Sequence, residues 1–500
     1  MGKKNRYNVV VSLFTQIVIL ALGLIIPRLY LTQYGSDVNG LIGTVTQIFT
    51  YMALLEAGIG QATKNALYPF IRDKIKNREN ISEVMSISKR YYEKVSILYT
   101  VAVVLLSFLL PLVLESNLSY WNIFAIVLFE GVAGSISFFF IEKWSMLLAA
   151  DGMNYITANI DFASKLISYS LKIIFALMGF NVVFIQVAYF VASLSRLLIY
   201  KLYMDKNYGW IDYKRKTSGS LKDRNSYIIT EIAWTIFSST DMIVLSIFCS
   251  TAVASVYSIY NMVFVAINSL LSAVYNSLTF NLGQVYHKDL EEYKTYHDIF
   301  NSIFVGLMTA FMGVTFLLIN SFVELYTSGI NDINYIYHEL PFMFCVIQLL
   351  SWSRYVSGNL SGVAGYAKPV SVISLIEACS NIVLSIVLVK RLGIIGVVVA
   401  TVISLPIKVV YLNVLADKVI MKRSFVNTVR ILVSNWALFG IIVLLKRYLN
   451  FTISNFGVFC AYGVMLSVVI GIIVFMTNVI INPDLKGYMR SFLYNLKCRR

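Results

Sequence analysis

The chain has 500 residues, a hydrophobic content of 58%, a charged content of 13% and a mean hydropathy of +0.73. These values exclude a soluble globular protein, in which about 25% of the residues are charged. The net charge of +15 is also found in nucleic-acid-binding proteins, but cations at the cytoplasmic edge of a membrane protein give the same total. The positions of the charges therefore decide between the two classes.

The chain begins with a basic segment and a long apolar run, MGKKNRYNVVVSLFTQIVILALGLIIPRLY. This run is too long for a signal peptide and lacks a small-x-small cleavage site, so we expect an uncleaved first span. Apolar stretches of about 18 to 25 residues predict an all-α integral membrane protein with about fourteen transmembrane helices. The predicted spans are 9–31, 38–66, 95–114, 121–146, 157–178, 181–203, 227–248, 252–281, 299–322, 338–360, 369–389, 393–416, 428–446 and 456–481.

The Lys and Arg residues divide unequally between the two sides of the predicted membrane. With both termini in the cytoplasm, 34 of the 41 lie in or beside cytoplasmic segments. This asymmetry is what the positive-inside rule describes. It predicts an even number of spans and cytoplasmic termini, and it explains the basic charge without nucleic acid.

Two parts of the chain resemble each other at an offset of roughly 210 residues. The segment DGMNYITANIDFASK, with the glycine turn and span after it, echoes AGYAKPVSVISLIEA and its continuation. Both copies begin on the cytoplasmic side, which predicts two six-helix lobes related by a pseudo-two-fold axis along the membrane normal and enclosing a cavity. The predicted domains are an N-terminal lobe (1–203), a basic cytoplasmic linker (204–226), a C-terminal lobe (227–416) and two closing helices with a basic tail (417–500).

The fifth predicted span carries charges on one face. Asp161, Lys165 and Lys172 lie within about 40° of one another on a helical wheel. Each such charge costs roughly 2.5 to 3.5 kcal/mol at mid-bilayer, so this face must meet protein or water. Two interpretations of Lys165 are open, a local pair with Asp161 or a place in a cavity. Lys172 has no local partner; it either snorkels outward or lines a cavity, and the continuous polar stripe favours the cavity.

Two further cations are candidates for binding an anionic substrate. Arg28 follows Pro27 late in the first span, and Arg354 lies near the inner end of the tenth. Each is interpreted either as an anchor at the membrane interface or as a cavity cation. The predicted substrate-binding residues are therefore Arg28, Lys165, Lys172 and Arg354.

Acidic residues within spans are candidates for ion coupling, because a carboxylate in the bilayer is either protonated or paired with a cation. Glu377 shares a narrow helix face with Ser374, Asn381 and Ser385, which favours a coupling role. Asp241 fits equally well as a counter-ion of a cavity cation. The predicted coupling or counter-ion residues are Glu56, Asp161, Asp241 and Glu377.

The sequence shows no pattern typical of an enzyme. It has no P-loop, no G-x-S-x-G, no H-E-x-x-H and no long hydrophilic domain. Its five cysteines are scattered, which argues against a disulfide frame, a metal site or a bound cofactor. The histidines, His287, His297 and His338, are isolated and are predicted to be surface residues. We therefore expect the work of the protein to take place among its helices, driven by a gradient or by a mass-action difference.

Two segments carry a family resemblance: IIPRLYLTQYGSDVNGLIGTVTQIFTYMALLEAGIGQA and SSTDMIVLSIFCSTAVASVYSIYNMVFVAINSLLSAVYNSL. The chain resembles the polysaccharide flippases of the multidrug/oligosaccharidyl-lipid/polysaccharide (MOP) exporter superfamily over nearly its whole length. The resemblance implies transport of undecaprenyl-pyrophosphate-linked oligosaccharides from the cytoplasmic to the periplasmic leaflet of the bacterial inner membrane, for O-antigen, capsule or exopolysaccharide. Membrane lipids and other polysaccharide assembly proteins are the further partners it implies. The family's recurrent cation of span 1 and acid of span 7 would be Arg28 and Asp241.

The charge pattern agrees with that role, because a cation-lined cavity lowers the barrier to a pyrophosphate of about two negative charges. We expect alternating access of the two lobes, reset by H+ or Na+ at an acid such as Glu377. Two alternatives stay open. A multidrug or organic-cation antiporter of the same superfamily needs an anionic cavity, and a membrane glycan polymerase or ligase usually needs a larger periplasmic loop than 322–337.

Overall fold

The computed structural model describes residues 3–56, 59–71, 73–213, 240–449, 451 and 453–498. Every regular element in these ranges is helical, which confirms the predicted all-α class. Ten helices in the described ranges are long and apolar enough to cross a membrane. The chain forms two compact units, unit 1 (Met1–Val256) and unit 2 (Tyr257–Arg500). Most of the predicted seventh span and part of the predicted linker fall on 214–239, outside the described residues.

Unit 1 is built from seven helices and the helical residues 240–248. A 3₁₀ turn (Ala53–Glu56) follows the first helix, and a π-helical turn (Ser137–Ile141) joins the fourth helix to the fifth. The first helical run contains the first predicted span and the start of the second, which meet at Gly35 with a φ of 83°. The helices are α1 (Lys3–Met52), α2 (Ile59–Ile71), α3 (Arg78–Val113), α4 (Tyr120–Ile136), α5 (Glu142–Ala150), α6 (Asn154–Leu177) and α7 (Val182–Tyr208).

Unit 2 begins within a long helix. The helix that follows, α9 (Leu290–Tyr326), is the most buried of its candidate membrane spans. α9 packs against the helices that follow it and against the two closing helices. A π-helical turn (Leu415–Ile420) extends α13, and a 3₁₀ turn (Lys446–Tyr448) follows α14. The helices are α8 (Thr251–Lys288), α9 (Leu290–Tyr326), α10 (Leu340–Trp352), α11 (Tyr355–Val363), α12 (Ala367–Leu392), α13 (Ile394–Val414), α14 (Val426–Leu445), α15 (Phe456–Ile481) and α16 (Pro483–Cys498).

The glycine turns of the predicted repeat have the same backbone geometry in both units. Gly152 and Gly179 flank α6 in unit 1 with φ of 72° and 73°, and Gly365 and Gly393 flank α12 in unit 2 with φ of 82° and 56°. Glycine adopts this left-handed conformation at low cost, whereas a side chain makes it strained. Each glycine therefore ends one helix and allows the next to reverse direction.

Close packing brings α4 against α1 and α3. A Cβ atom at Gly131 would overlap Val103 of α3 and lie 2.8 Å from Phe49 of α1. A Cβ atom at Gly134 would overlap the Tyr99 hydroxyl. Because Gly131 and Gly134 have no side chains, α1 and α3 can approach α4 closely. The helix α7 also packs against α4.

Candidate functional site

A cavity of about 720 Å³ lies within unit 1. Its volume is in the range of about 300 to 1,000 Å³ that is typical of small-molecule sites. Its walls come from α1, the 3₁₀ turn, α3, α4, the π-helical turn, α5, α6 and α7. Its charged lining residues are Glu56, Glu130, Glu142, Asp161, Lys165, Lys172 and Arg196.

One part of the cavity is organised by Arg196 of α7. The Arg196 Nε atom donates a hydrogen bond to Asp161 Oδ1 of α6 at 2.8 Å, and Nη1 donates to Ser137 Oγ at 3.0 Å. Ser137 in turn donates to Glu142 Oε1 at 2.8 Å. Ser137 is the first residue of the π-helical turn, a local irregularity that occurs frequently at functional sites. We call these four residues the Arg196 group.

A second part of the cavity is organised by Glu130 of α4. Glu130 Oε1 accepts a hydrogen bond from Thr46 Oγ1 at 3.2 Å and lies close enough to Lys172 for their opposite charges to interact. The Lys172 Nζ atom lies 4.9 Å from the centre of the Tyr189 ring, a cation–π distance. We call Thr46, Glu130, Lys172 and Tyr189 the Glu130 group. Asp161 and Lys172 are separated by about 16 Å along α6, so the two groups lie at different depths.

The structure corrects the predicted local pair of Asp161 with Lys165. Asp161 pairs with Arg196 instead, because α7 packs along α6 and brings the guanidinium to the carboxylate. Lys165 lines the cavity and forms no ion pair with any carboxylate of the described residues. Lys172, which has no local partner in the sequence, is buried beside a carboxylate of another helix.

Arg196 lines the cavity but is not among the site residues predicted from the sequence. It falls inside the predicted sixth span, 181–203. An arginine at that depth is rare unless it is paired or faces water, which is the signal that could have identified it. The structure places it in the cavity wall.

In unit 2, two predicted site residues form an ion pair with each other. Arg354 Nη1 donates to Glu377 Oε1, and Lys408 Nζ lies 3.5 Å from Glu377 Oε2. Arg354 and Glu377 are both buried, at 7% and 2% exposure. The predicted polar face of Ser374, Glu377, Asn381 and Ser385 is buried along its whole length.

Of the three remaining predicted residues, one lines the cavity of unit 1 and two do not. Glu56 is the last residue of the 3₁₀ turn, and it lines the cavity of unit 1. Arg28 and Asp241 are half-buried, in α1 and in the segment 240–248, and are not among the residues that line this cavity. The structure thus brings together Glu56, Asp161, Lys165 and Lys172, and separately Arg354 and Glu377.

The predicted surface position of His297 is wrong. Its side chain is fully buried near the start of α9, and its neighbour Asp298 accepts hydrogen bonds from Arg423 at 2.5 and 3.0 Å. Arg423 Nε also donates to Asp417 at 2.8 Å. Burial by itself lowers the pKa of Arg423. The hydrogen bonds and negative charges of Asp298 and Asp417 raise that pKa by more, so it lies above its usual value. The connection between α13 and α14 thus covers the histidine. His338 is exposed, and the His287 side chain lies outside the described residues.

Solved structures with the same architecture are transporters. The lipid II flippase MurJ in an inward closed conformation matches with a TM-score of 0.67 at 14% identity, over 97% of this chain and 99% of that chain. The chain has the fold of these transporters. An inward-facing multidrug resistance MATE family transporter of the MOP superfamily matches with a TM-score of 0.60 at 14% identity, over 86% and 99% of the two chains. A MOP superfamily transporter from Pyrococcus furiosus, whose binding pocket is described as having reverse polarity, matches with a TM-score of 0.57 at 13% identity, over 84% and 96%. No family model and no curated protein matches the sequence.

Proposed function

We propose that the chain is a transporter that moves an undecaprenyl-diphosphate-linked oligosaccharide from the cytoplasmic to the outer leaflet of a bacterial inner membrane, for polysaccharide assembly. The fold that it shares with a lipid II flippase supports this class of transporter. Alternating access of two helical lobes would expose the head group to each side in turn, while the polyprenyl tail stays in the bilayer.

The observation that carries the proposed substrate class is Lys165. This exposed cation lines the cavity, and the carboxylate nearest to it along the helix, Asp161, is held by Arg196. Its ammonium group is therefore accessible to an anionic ligand in the cavity. A bound diphosphate would supply a compensating negative charge and would itself avoid an uncompensated desolvation.

The test is complementation of surface glycan in a strain that depends on this chain, with Lys165→Ala, Lys172→Ala and Arg28→Ala made separately. Losing one charge-assisted contact of about 1.5 to 3 kcal/mol weakens binding by about 10- to 100-fold. We expect glycan display to fall in Lys165→Ala and Lys172→Ala at unchanged protein levels. Lys201→Ala, an exposed lysine of α7, is the matched control. Full function of both cavity variants would contradict the proposal.

The predicted coupling residues fall into different environments. Glu56 and Asp161 line the cavity, whereas Glu377 compensates Arg354 and Lys408. A carboxylate that already faces two cations binds a further cation weakly. We therefore propose H+ or Na+ coupling at the acids of the unit 1 cavity rather than at Glu377. The substrate-binding roles of Arg28 and Arg354 and the coupling role of Asp241 stay proposals.

A multidrug or organic-cation antiporter is the second candidate, and the cavity itself favours it in one respect. Four carboxylates and three cations line the cavity, which suits a cationic ligand better than an anionic one. The match to a multidrug transporter points in the same direction. Efflux of ethidium from cells that express the chain, without restoration of glycan, would favour this candidate.

A further inference from the structure

The charge balance of the unit 1 cavity sets a condition on anion binding. With all seven lining charges ionised, four carboxylates against three cations give a net charge of −1. A diphosphate carrying about two negative charges would make this more negative in a region of low dielectric, where like charges repel strongly. Uptake of a proton by an acid of the cavity when the anion binds would offset this repulsion.

Of the four carboxylates that line the cavity among the described residues, Glu130 is the one whose charge interacts with that of Lys172. Asp161 accepts a charged hydrogen bond from Arg196, and Glu142 accepts from Ser137 within the same group. Glu130 accepts only a hydroxyl hydrogen bond, from Thr46, and its nearby cation Lys172 also faces the Tyr189 ring. The carboxylate of Glu130 is thus held less firmly by donors than that of Asp161.

The groups that face Glu130 come from every helix packed around it. They are tyrosine hydroxyls from α1, α3 and α7 and one cation from α6: Tyr30, Tyr99, Tyr189 and Lys172. Tyr169 of α6 faces Lys172. Tyr30 is 3% exposed, and its hydroxyl has no hydrogen-bond partner among the described groups. In the ionised state of Glu130, the charge of Lys172 is compensated by this carboxylate. In the protonated state, Lys172 is the remaining charge of this neighbourhood.

We propose that Glu130 and Lys172 form a proton-dependent anion site, in which protonation of Glu130 releases the charge of Lys172 for the phosphate oxygens of the ligand. This inference rests on the proposed function. Proton binding and anion binding strengthen each other, and linkage makes the effect reciprocal. A cationic ligand has the opposite effect, because it competes with the proton for the same carboxylate.

The first experiment measures the dissociation constant of undecaprenyl diphosphate for the full chain in nanodiscs, from about pH 6 to about pH 8. One linked proton changes the affinity by up to about tenfold per pH unit, and we expect tighter binding as the pH falls. Glu130→Gln should bind tightly at every pH, and Lys172→Gln should bind more weakly than the wild type at every pH. Glu115→Gln, an exposed carboxylate remote from the cavity, should keep the wild-type slope.

The second experiment needs no variant and stays informative if Glu130→Gln does not fold. In weakly buffered solution with a pH indicator, the wild-type chain should take up protons when undecaprenyl diphosphate binds and release them when tetraphenylphosphonium binds. Proton release or no change with the diphosphate overturns the inference, as does a Glu130→Gln variant that retains the wild-type slope. Failure of the wild-type chain to bind the diphosphate at any pH contradicts the proposed function itself, and the inference with it.

Discussion

At the scale of single residues, two of the buried or half-buried carboxylates, Glu377 and Asp161, belong to groups of more than two polar partners. Glu377 faces both Arg354 and Lys408, and Asp161 shares Arg196 with Ser137 and Glu142. Breaking a buried ion pair by removing one partner is costly, because the other charge is left without compensation. The effect of a substitution in these groups therefore depends on how many partners the lost residue served.

The Arg354, Glu377 and Lys408 group gives an asymmetric prediction. Glu377→Ala removes the carboxylate from two cations, so we expect the free energy of unfolding to fall by about 3 to 5 kcal/mol. Arg354→Met should cost less, because Glu377 keeps Lys408 at 3.5 Å. Thermal unfolding in detergent measures both variants. Equal losses would mean that Lys408 does not compensate Glu377.

At the scale of helices, the two closing spans of unit 2 are joined by a reciprocal amide pair. Asn435 of α14 and Asn478 of α15 each donate Nδ2 to the Oδ1 of the other, at 2.9 and 3.0 Å, and both are buried. Asn478 also lies against Gly306 of α9, where a Cβ atom would come within 2.9 Å of its amide. The pair thus fixes the register of α14 and α15 beside α9.

We expect a double-mutant cycle of Asn435→Ala and Asn478→Ala to give a coupling energy of about 0.6 kcal/mol, and at most about 1.7 kcal/mol, as for other polar pairs between membrane helices. Unfolding of the purified chain in detergent gives the four stabilities. Thr477→Ala, a half-buried neighbour whose hydroxyl donates to Ile473 of its own helix, is the control partner for Asn435 and should show no coupling. A coupling near zero for the asparagine pair would refute its role.

Helical periodicity predicted where the helices lie far better than which side chains meet. Several predicted spans, among them 95–114, 181–203 and 456–481, fall on single described helices, whereas most of 227–248 lies outside the described residues. The helix α9 extends beyond its predicted span 299–322, and its first turns contact Arg423 and Asn482. The partners of Asp161 and Lys172 come from α7 and α4. Sequence spacing identifies only neighbours within one helix. Lys165, four residues after Asp161, is the cation that this spacing predicts as its partner.

At the scale of the whole molecule, the cost of placing a charge in the hydrocarbon core of a membrane governs where the charges lie. α6 is not among the ten described helices that are apolar enough to cross a membrane, because its charges lower its hydropathy. It can lie in the membrane only if a cavity shields those charges. Most of the cations outside the cavity fall in segments that the predicted topology places on one side, which the positive-inside rule would assign to the cytoplasm.

This charge distribution predicts the orientation of the chain. With the native cysteines replaced by alanine, we expect a cysteine at Asn117, in the turn before α4, to react in intact cells with an outer-membrane-permeable maleimide that does not cross the inner membrane. A cysteine at Ile75, which is 82% exposed before α3, should react only after the inner membrane is opened. The reason is that most of the Lys and Arg residues fall in segments that the predicted topology places on the same side as Ile75. Equal labelling of both sites after lysis controls for reactivity. Labelling of Ile75→Cys alone in intact cells would reverse the orientation, and with it the direction of the proposed transport.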